Sequence, residues 1–193
     1  MSRPALVATA VLAIATVWAC AGSPGASIDR PGGEAAVGTV RSEPQTFNRL
    51  VARDNVSVLM TQLTQAGLVR VNRTQDVVEP WLAESWRSDD DGRTHTLTLR
   101  DGLTFSDGEP FTSADVLFSF EALYDERLGS AMADSFLIAG RPIEVEALDA
   151  TTVMVRFPVP YSPGLRLLDS LPILPRHLLE PALRDGTLRE AWG

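Results

Sequence analysis

The stretch between Trp81 and Tyr124 restricts the fold more than any other part of the chain. Asp89-Asp90-Asp91-Gly92 separates two runs that read as strands, Trp81 to Trp86 and Thr94 to Arg100. An Asp-Gly turn between extended runs predicts a β-hairpin. In the second run His95, Leu97 and Leu99 fall on one face, and Thr94, Thr96, Thr98 and Arg100 on the other, the alternation of a strand with one buried side. Asp101-Gly102 and Asp107-Gly108 follow as two more turns, where glycine supplies the positive φ that side chains resist. Thr112 then opens a helix, with Asp115 three residues on as its capping-box partner. Val116, Leu117, Phe120, Leu123 and Tyr124 make one apolar stripe at helical spacing. Hairpin, turns and helix in this order predict a mixed α/β chain with a β-rich segment.

Weaker periodicities organise the rest. Ala35 to Val40 reads as a short strand and Ser42-Glu43-Pro44-Gln45 as a loop. Val56, Leu59, Met60 and Leu63 form a helical stripe over residues 55–66, capped by Asp54 or Asn55 and ended by Gly67. Leu68 to Val71 reads as a strand. Thr152 to Phe157 alternates again, with Val153, Val155 and Phe157 inward. Pro172 and Pro175 bracket Ile173-Leu174, and a short helix is expected from Arg176 to Leu183.

The first 20 residues read as an export signal. Arg3 precedes a 14-residue uncharged run, Ala5 to Trp18. That run is short of the roughly 20 apolar residues a spanning helix needs. Cys20 sits where a lipoprotein signal places its acylated cysteine, which would tether the protein to a membrane face. The competing reading takes Ala19-Cys20-Ala21 as an ordinary small-x-small cleavage site and gives a soluble secreted protein. Residues 21–33, rich in Gly, Pro and Ser, read as a flexible tether.

Several function classes drop out. The chain carries 17 basic and 25 acidic residues, a net charge of −8, so no basic stripe is left to neutralise phosphates and nucleic acid is not an expected partner. Cys20 is the only cysteine, and His95 and His177 lie far apart, which argues against a Cys/His zinc site and an internal disulfide. Asp89 to Gly92 fails as a calcium loop, because Arg87 and Thr98 stand where ligands are required. His95 shares the Leu97/Leu99 face and reads as structural. Neither histidine has a recognisable partner in the sequence, and no nucleophile elbow or glycine-rich phosphate loop occurs. No catalytic residue, metal ligand or cofactor is therefore assigned. Trp81, Trp86, Phe105, Phe111 and Phe120 are assigned to core packing by their spacing.

Residues 79–86, EPWLAESW, followed by DDDGRTHTLTLRDGLTFSDGEPFTSADVLFSFEAL over 89–123, carry a family pattern. They resemble the bacterial extracytoplasmic solute-binding proteins of family 5, the dipeptide-, oligopeptide- and nickel-binding proteins of ABC importers. Ser42 to Asn48 is similar to that family's first-strand exit loop, and Leu171 to Leu179 to its proline-bounded segment. The resemblance implies a type II periplasmic-binding-protein-like fold of two lobes, here incomplete. Residues 34–50 and 151–193 would belong to the first lobe and 51–150 to a β-rich accessory domain, with the second lobe absent. It implies a peptide or similar small solute held in the cleft between lobes, no enzymatic activity, and ABC permease subunits as partners. The place of work would be the periplasm or the outer face of the cell membrane. The ligand-facing candidates on this reading are Ser42, Glu43, Pro44 and Gln45 of the exit loop, whose alternative role is a surface turn. Phe136 or Met132 is placed either along the cleft or in the core. Two departures stand out: Arg49 replaces the proline usual after Asn48, and the chain ends where a glycine-rich segment should begin. As an N-terminal fragment it is expected to bind peptide weakly or not at all. The competing functions are an envelope lipoprotein acting as an interaction module, and a secreted hydrolase.

Overall fold

A computed structural model describes residues 42–191. The export signal with Cys20, the tether and the expected strand Ala35 to Val40 lie outside the described residues. The elements run α1 (Asn55–Thr64), β1 (Val69–Asn72), β2 (Val77–Pro80), β3 (Ala83–Ser88), β4 (Thr94–Leu99), α2 (Ser113–Tyr124), a 3-10 turn (Ala133–Phe136), β5 (Glu144–Ala147), β6 (Thr152–Arg156), α3 (Gly164–Leu167) and α4 (Arg176–Asp185).

The Asp-Gly hairpin forms as its alternation requires. β3 pairs antiparallel with β4, with Trp86 opposite Leu97 and Ser88 opposite His95. Gly92 takes φ +64° at the turn, and Asp91 Oδ1 accepts the N–H groups of Arg93 and Thr94. β6 adds to the other side of β4, and β5 closes the sheet in the order β3-β4-β6-β5. Leu97, Leu99, Val153, Val155 and Phe157 all point into one core and are essentially unexposed. α2 packs against β5 and β6, burying Val116, Phe120 and Leu123. Thr112 caps α2, its N–H donating to Asp115 Oδ2 at 2.9 Å. The sheet draws strands from both sides of the expected 150/151 domain boundary, which falls between the paired strands β5 and β6. Two short strands, β2 and β5, were not legible: β2 ends in a proline, and β5 alternates glutamates with only Val145 and Ala147 inward.

α1 begins at the expected cap, Asp54, whose side chain accepts the Ser57 N–H at 2.8 Å. Its buried face is the opposite of the one expected. Ser57 and Thr61 are buried, whereas Leu59 and Leu63 of the apolar stripe are 43% and 72% exposed. The cause is a backbone demand: Ser57 Oγ accepts the N–H groups of both Gln45 and Thr46, so the polar face turns toward the exit loop. Gly67 does not end the helix, which stops in extended backbone at Gln65. It permits close approach instead. A Cβ there would lie 2.8 Å from the Leu168 carbonyl oxygen and 2.9 Å from that of Asp169.

The proline-bracketed segment is locked onto both helices. Pro172 and Pro175 offer no N–H groups, and each N–H between and just after them is satisfied. Ile173 N donates to Ala66 O, Leu174 N to Ser119 Oγ at 2.8 Å, and Arg176 N to Asp115 Oδ1 at 3.0 Å. α4 follows immediately. It ends at Gly186 in the left-handed conformation, φ +74°, and Arg127 donates to the exposed carbonyls of Leu183 and Arg184.

Candidate functional site

A cavity of about 550 Å³ opens beside the second half of α1. Thr61 to Ala66 form one wall, β1 and the turn after it a second, and Asp169, Ser170 and Pro172 a third. The locked proline segment and the close approach at Gly67 hold those walls together.

Three arginines, Arg49, Arg70 and Arg73, reach this cavity, against one carboxylate, Asp169. Arg70 lies 5.0 Å over the ring of Trp81, a cation–π contact, and pairs loosely with Glu79 at 3.6 Å. Asp169 is engaged by the backbone, since its Oδ1 accepts the Val71 N–H at 3.2 Å. Arg49 is partly buried and has no hydrogen bond or ion pair among the described residues. Burial pushes the pKa of its guanidinium down, yet such a group stays charged. The backbone that carries it is rigid. Asn48, with no exposed surface, accepts the Leu50 N–H and donates to the Leu188 carbonyl, while its own carbonyl accepts from Val51 and Ala52. Leu63, Val69, Val71 and Pro172 supply an apolar lining. The lining suits an organic anion, since it combines cationic donors with an aromatic ring and aliphatic surface.

The exit-loop candidates sit next to this cavity without lining it. Ser42, Glu43 and Gln45 are exposed and Pro44 is partly buried. Their loop docks on Ser57, one turn before the helical residues that form the cavity wall, and Gln65 Nε2 ties its far end at the Phe47 carbonyl, 2.7 Å away. Phe136 is fully buried, edge-on to Phe120 at 6.2 Å, and Met132 is 7% exposed, so both occupy the core of the described residues. Trp81 corrects the expectation of core packing, for it is 44% exposed at the cavity. The arginines escaped notice as a group. Arg70 and Arg73 share one sequence signal, a stretch over residues 55–75 with no acidic side chain in a chain with 25 of them, and Arg49 lies outside it.

The fold also gives each histidine a partner that sequence did not reveal. His177 Nε2 lies 2.7 Å from Asp107 Oδ2, tying the turn after β4 to the start of α4. Their hydrogen bond holds the Asp107 carboxyl below its ordinary range. His95 Nδ1 shares a hydrogen bond with Ser88 Oγ at 2.8 Å, and its ring stands edge-on to Phe157. His95 Nε2 faces no partner among the described residues, the cavity is not lined by the pair, and burial depresses the pKa of the ring. Among the described residues no group of three or more His, Cys, Asp or Glu gathers to hold a metal ion.

Comparison with known proteins places these observations among relatives. Residues 77–190 match the family model "Bacterial extracellular solute-binding proteins, family 5 Middle". The "Nickel-binding periplasmic protein" of Escherichia coli (strain K12) is 38% identical over 91 residues, 47% of this chain and 17% of that protein. The "Probable D,D-dipeptide-binding periplasmic protein DdpA" of the same organism is 33% identical over 131 residues, 66% of this chain and 24% of that protein. The crystal structure of the ABC transporter substrate binding protein CtaP from Listeria monocytogenes superposes with a TM-score of 0.65 at 32% identity, over 73% of this chain and 28% of that one. The chain thus spans less than a third of the length of each of these relatives.

Proposed function

The chain belongs to the bacterial extracellular solute-binding proteins of family 5 and has their mixed α/β, type II periplasmic-binding-protein-like fold over the part it spans; from that premise we propose that it works as the extracytoplasmic substrate-binding component of an ABC-type peptide importer. The observation that carries the reading is the family match over residues 77–190, which covers the hairpin, α2 and the proline segment that braces the cavity. Relatives of this kind are substrate-binding proteins rather than enzymes.

The described residues supply one wall of such a receptor. A receptor of two lobes closes because ligand touches both only in the closed state, so its binding energy shifts the population toward closure. The closed form would then be presented to permease subunits at the membrane. With one wall engaged, peptide binding by this chain alone is expected to be weak or absent. The exit loop, Ser42 to Gln45, and the cavity beside α1 are the two surfaces proposed to meet the solute. Attachment to the membrane through Cys20 is part of the same proposal.

Titration of isotope-labelled protein with di- to hexapeptides, followed by amide and indole resonances, tests this. Peptide-dependent shifts confined to the exit loop, the second half of α1 and Trp81 are expected. Micromolar binding by this chain alone, or peptide-dependent shifts lying only on other surfaces, would refute the one-wall reading.

A further inference from the structure

We propose that the cavity beside α1 is a carboxylate-binding subsite in which Arg49 is the principal donor and Trp81 the platform for an adjoining apolar group. The proposal deepens the peptide-receptor reading and rests on it for the kind of solute that brings the carboxylate.

Arg49 is the starting point. A guanidinium taken partly out of water without a counter-charge is unfavourable unless something pairs with it. Among the described residues nothing does; the cavity's one carboxylate, Asp169, accepts the Val71 N–H and forms no ion pair with Arg49. Arg70 is already shared between Glu79 and the face of Trp81. Arg73 is exposed at the same cavity and likewise has no ion pair among the described residues. The lining therefore holds an excess of positive charge inside a chain of net charge −8, a local inversion that concentrates anions at this one surface.

The lining beside the charges narrows the class of anion, since a guanidinium alone accepts a carboxylate or a phosphate. A guanidinium presents parallel N–H groups that match the two oxygens of a carboxylate. Leu63, Val69, Val71 and Pro172 line the same cavity, as does Trp81, which is 44% exposed with Arg70 over its ring. A carboxylate joined to an apolar or aromatic group satisfies both halves, and a peptide ending in such a residue is that class of molecule. Arg49 is preorganised for it, because the buried Asn48 turn fixes the backbone from which it projects. Less side-chain ordering is then left for the ligand to impose.

The test uses the tetrapeptide Ala-Ala-Ala-Phe as free acid and as C-terminal amide, with 3-phenylpropionate as a non-peptide acid. Each is titrated into the wild-type chain and into Arg49→Gln, with melting temperature and circular dichroism confirming that the variant is folded. The free acid is expected to bind about tenfold or more tightly than the amide, with Trp81 indole shifts that weaken as salt is raised. Arg49→Gln should bring the acid down to the level of the amide, and Arg49→Lys should restore part of the difference. Equal binding of acid and amide, or indifference to Arg49→Gln, overturns the subsite while leaving the peptide reading standing. Arg49-dependent binding of phenylpropionate with no binding of either tetrapeptide supports the subsite and defeats the peptide reading. No binding of any of the three overturns the subsite.

Discussion

Replacing Ser119 by alanine isolates the bond that holds the proline segment, and with it one wall of the cavity, onto α2. Ser119 has no exposed surface; its hydroxyl donates to the Asp115 carbonyl at 2.7 Å and accepts the Leu174 N–H at 2.8 Å. The alanine variant loses a hydroxyl the helix can spare, but it leaves the Leu174 N–H buried between two prolines with no acceptor. An orphaned buried donor costs about 1–3 kcal/mol. Alanine returns a few tenths through its higher helix propensity, so the expected net loss is about 2 kcal/mol. For a chain of this size that corresponds to a fall in melting temperature of about 4–8 °C. Urea unfolding measures the loss, and hydrogen exchange locates it, with the Leu174 amide among those accelerated. Thr64→Ala serves as the comparison. Its hydroxyl also bonds backbone, to Met60 O at 2.9 Å, but on the exposed face of α1, and its loss should cost under about 0.5 kcal/mol. A Ser119→Ala effect as small as that of Thr64→Ala would refute the claim that this hydroxyl satisfies an otherwise stranded donor.

Other outcomes follow from particular contacts. Gly67→Ala should destabilise by about 1–3 kcal/mol, since its Cβ meets two backbone oxygens at 2.8 and 2.9 Å that cannot swing aside; a neutral result in a denaturant titration would show that the 168–170 segment yields freely. His95 is held neutral by burial, its folded pKa lowered from 6.5, so the stability it contributes is intact above that value and is lost as pH falls through the folded one. The His95 ring resonances should accordingly titrate below those of an exposed histidine; titration at or above the ordinary value contradicts the buried placement. Asp107 is depressed chiefly by its hydrogen bond from His177, and then by the Glu109 N–H. Its contribution is present above the ordinary carboxylate range and disappears as pH drops through the folded value. Protection factors at Phe105 and Gly108, whose turn this contact anchors, taken against the intrinsic exchange rate at each pH, should therefore fall in strong acid, and His177→Ala should lower them likewise at neutral pH. Protection that stays constant in both experiments would show that the turn does not depend on the pair.

How far the fold was legible depended on the range of the forces involved. The hairpin at Asp89 to Gly92, the alternation of Thr94 to Leu99 and of Thr152 to Phe157, and the Thr112/Asp115 cap are set by residues a few positions apart, and each appears as read. α1 shows the limit. Its apolar stripe was visible, but which side faces inward was decided by two N–H groups of the exit loop that needed Ser57 as acceptor. Gly67 was read for its conformational freedom, whereas its importance is the absence of a side chain against residues a hundred positions later. The candidate site suffered most. Nothing in the spacing of Arg49, Arg70, Arg73 and Trp81 announces a common cavity, because the backbone turns that gather them have no local signature.

The sequence by itself therefore determined the elements, their turns and caps, and the family pattern, since all of these are written in short-range periodicity and in the chemistry of Asp, Gly, Pro and Thr. Tertiary structure alone decided which face of α1 is buried, which partners the two histidines find, and that Arg49, without an ion pair among the described residues, lines the same cavity as an exposed Trp81. Those outcomes depend on where desolvated polar groups find acceptors across the chain, and such pairings are resolved only when the whole core packs at once.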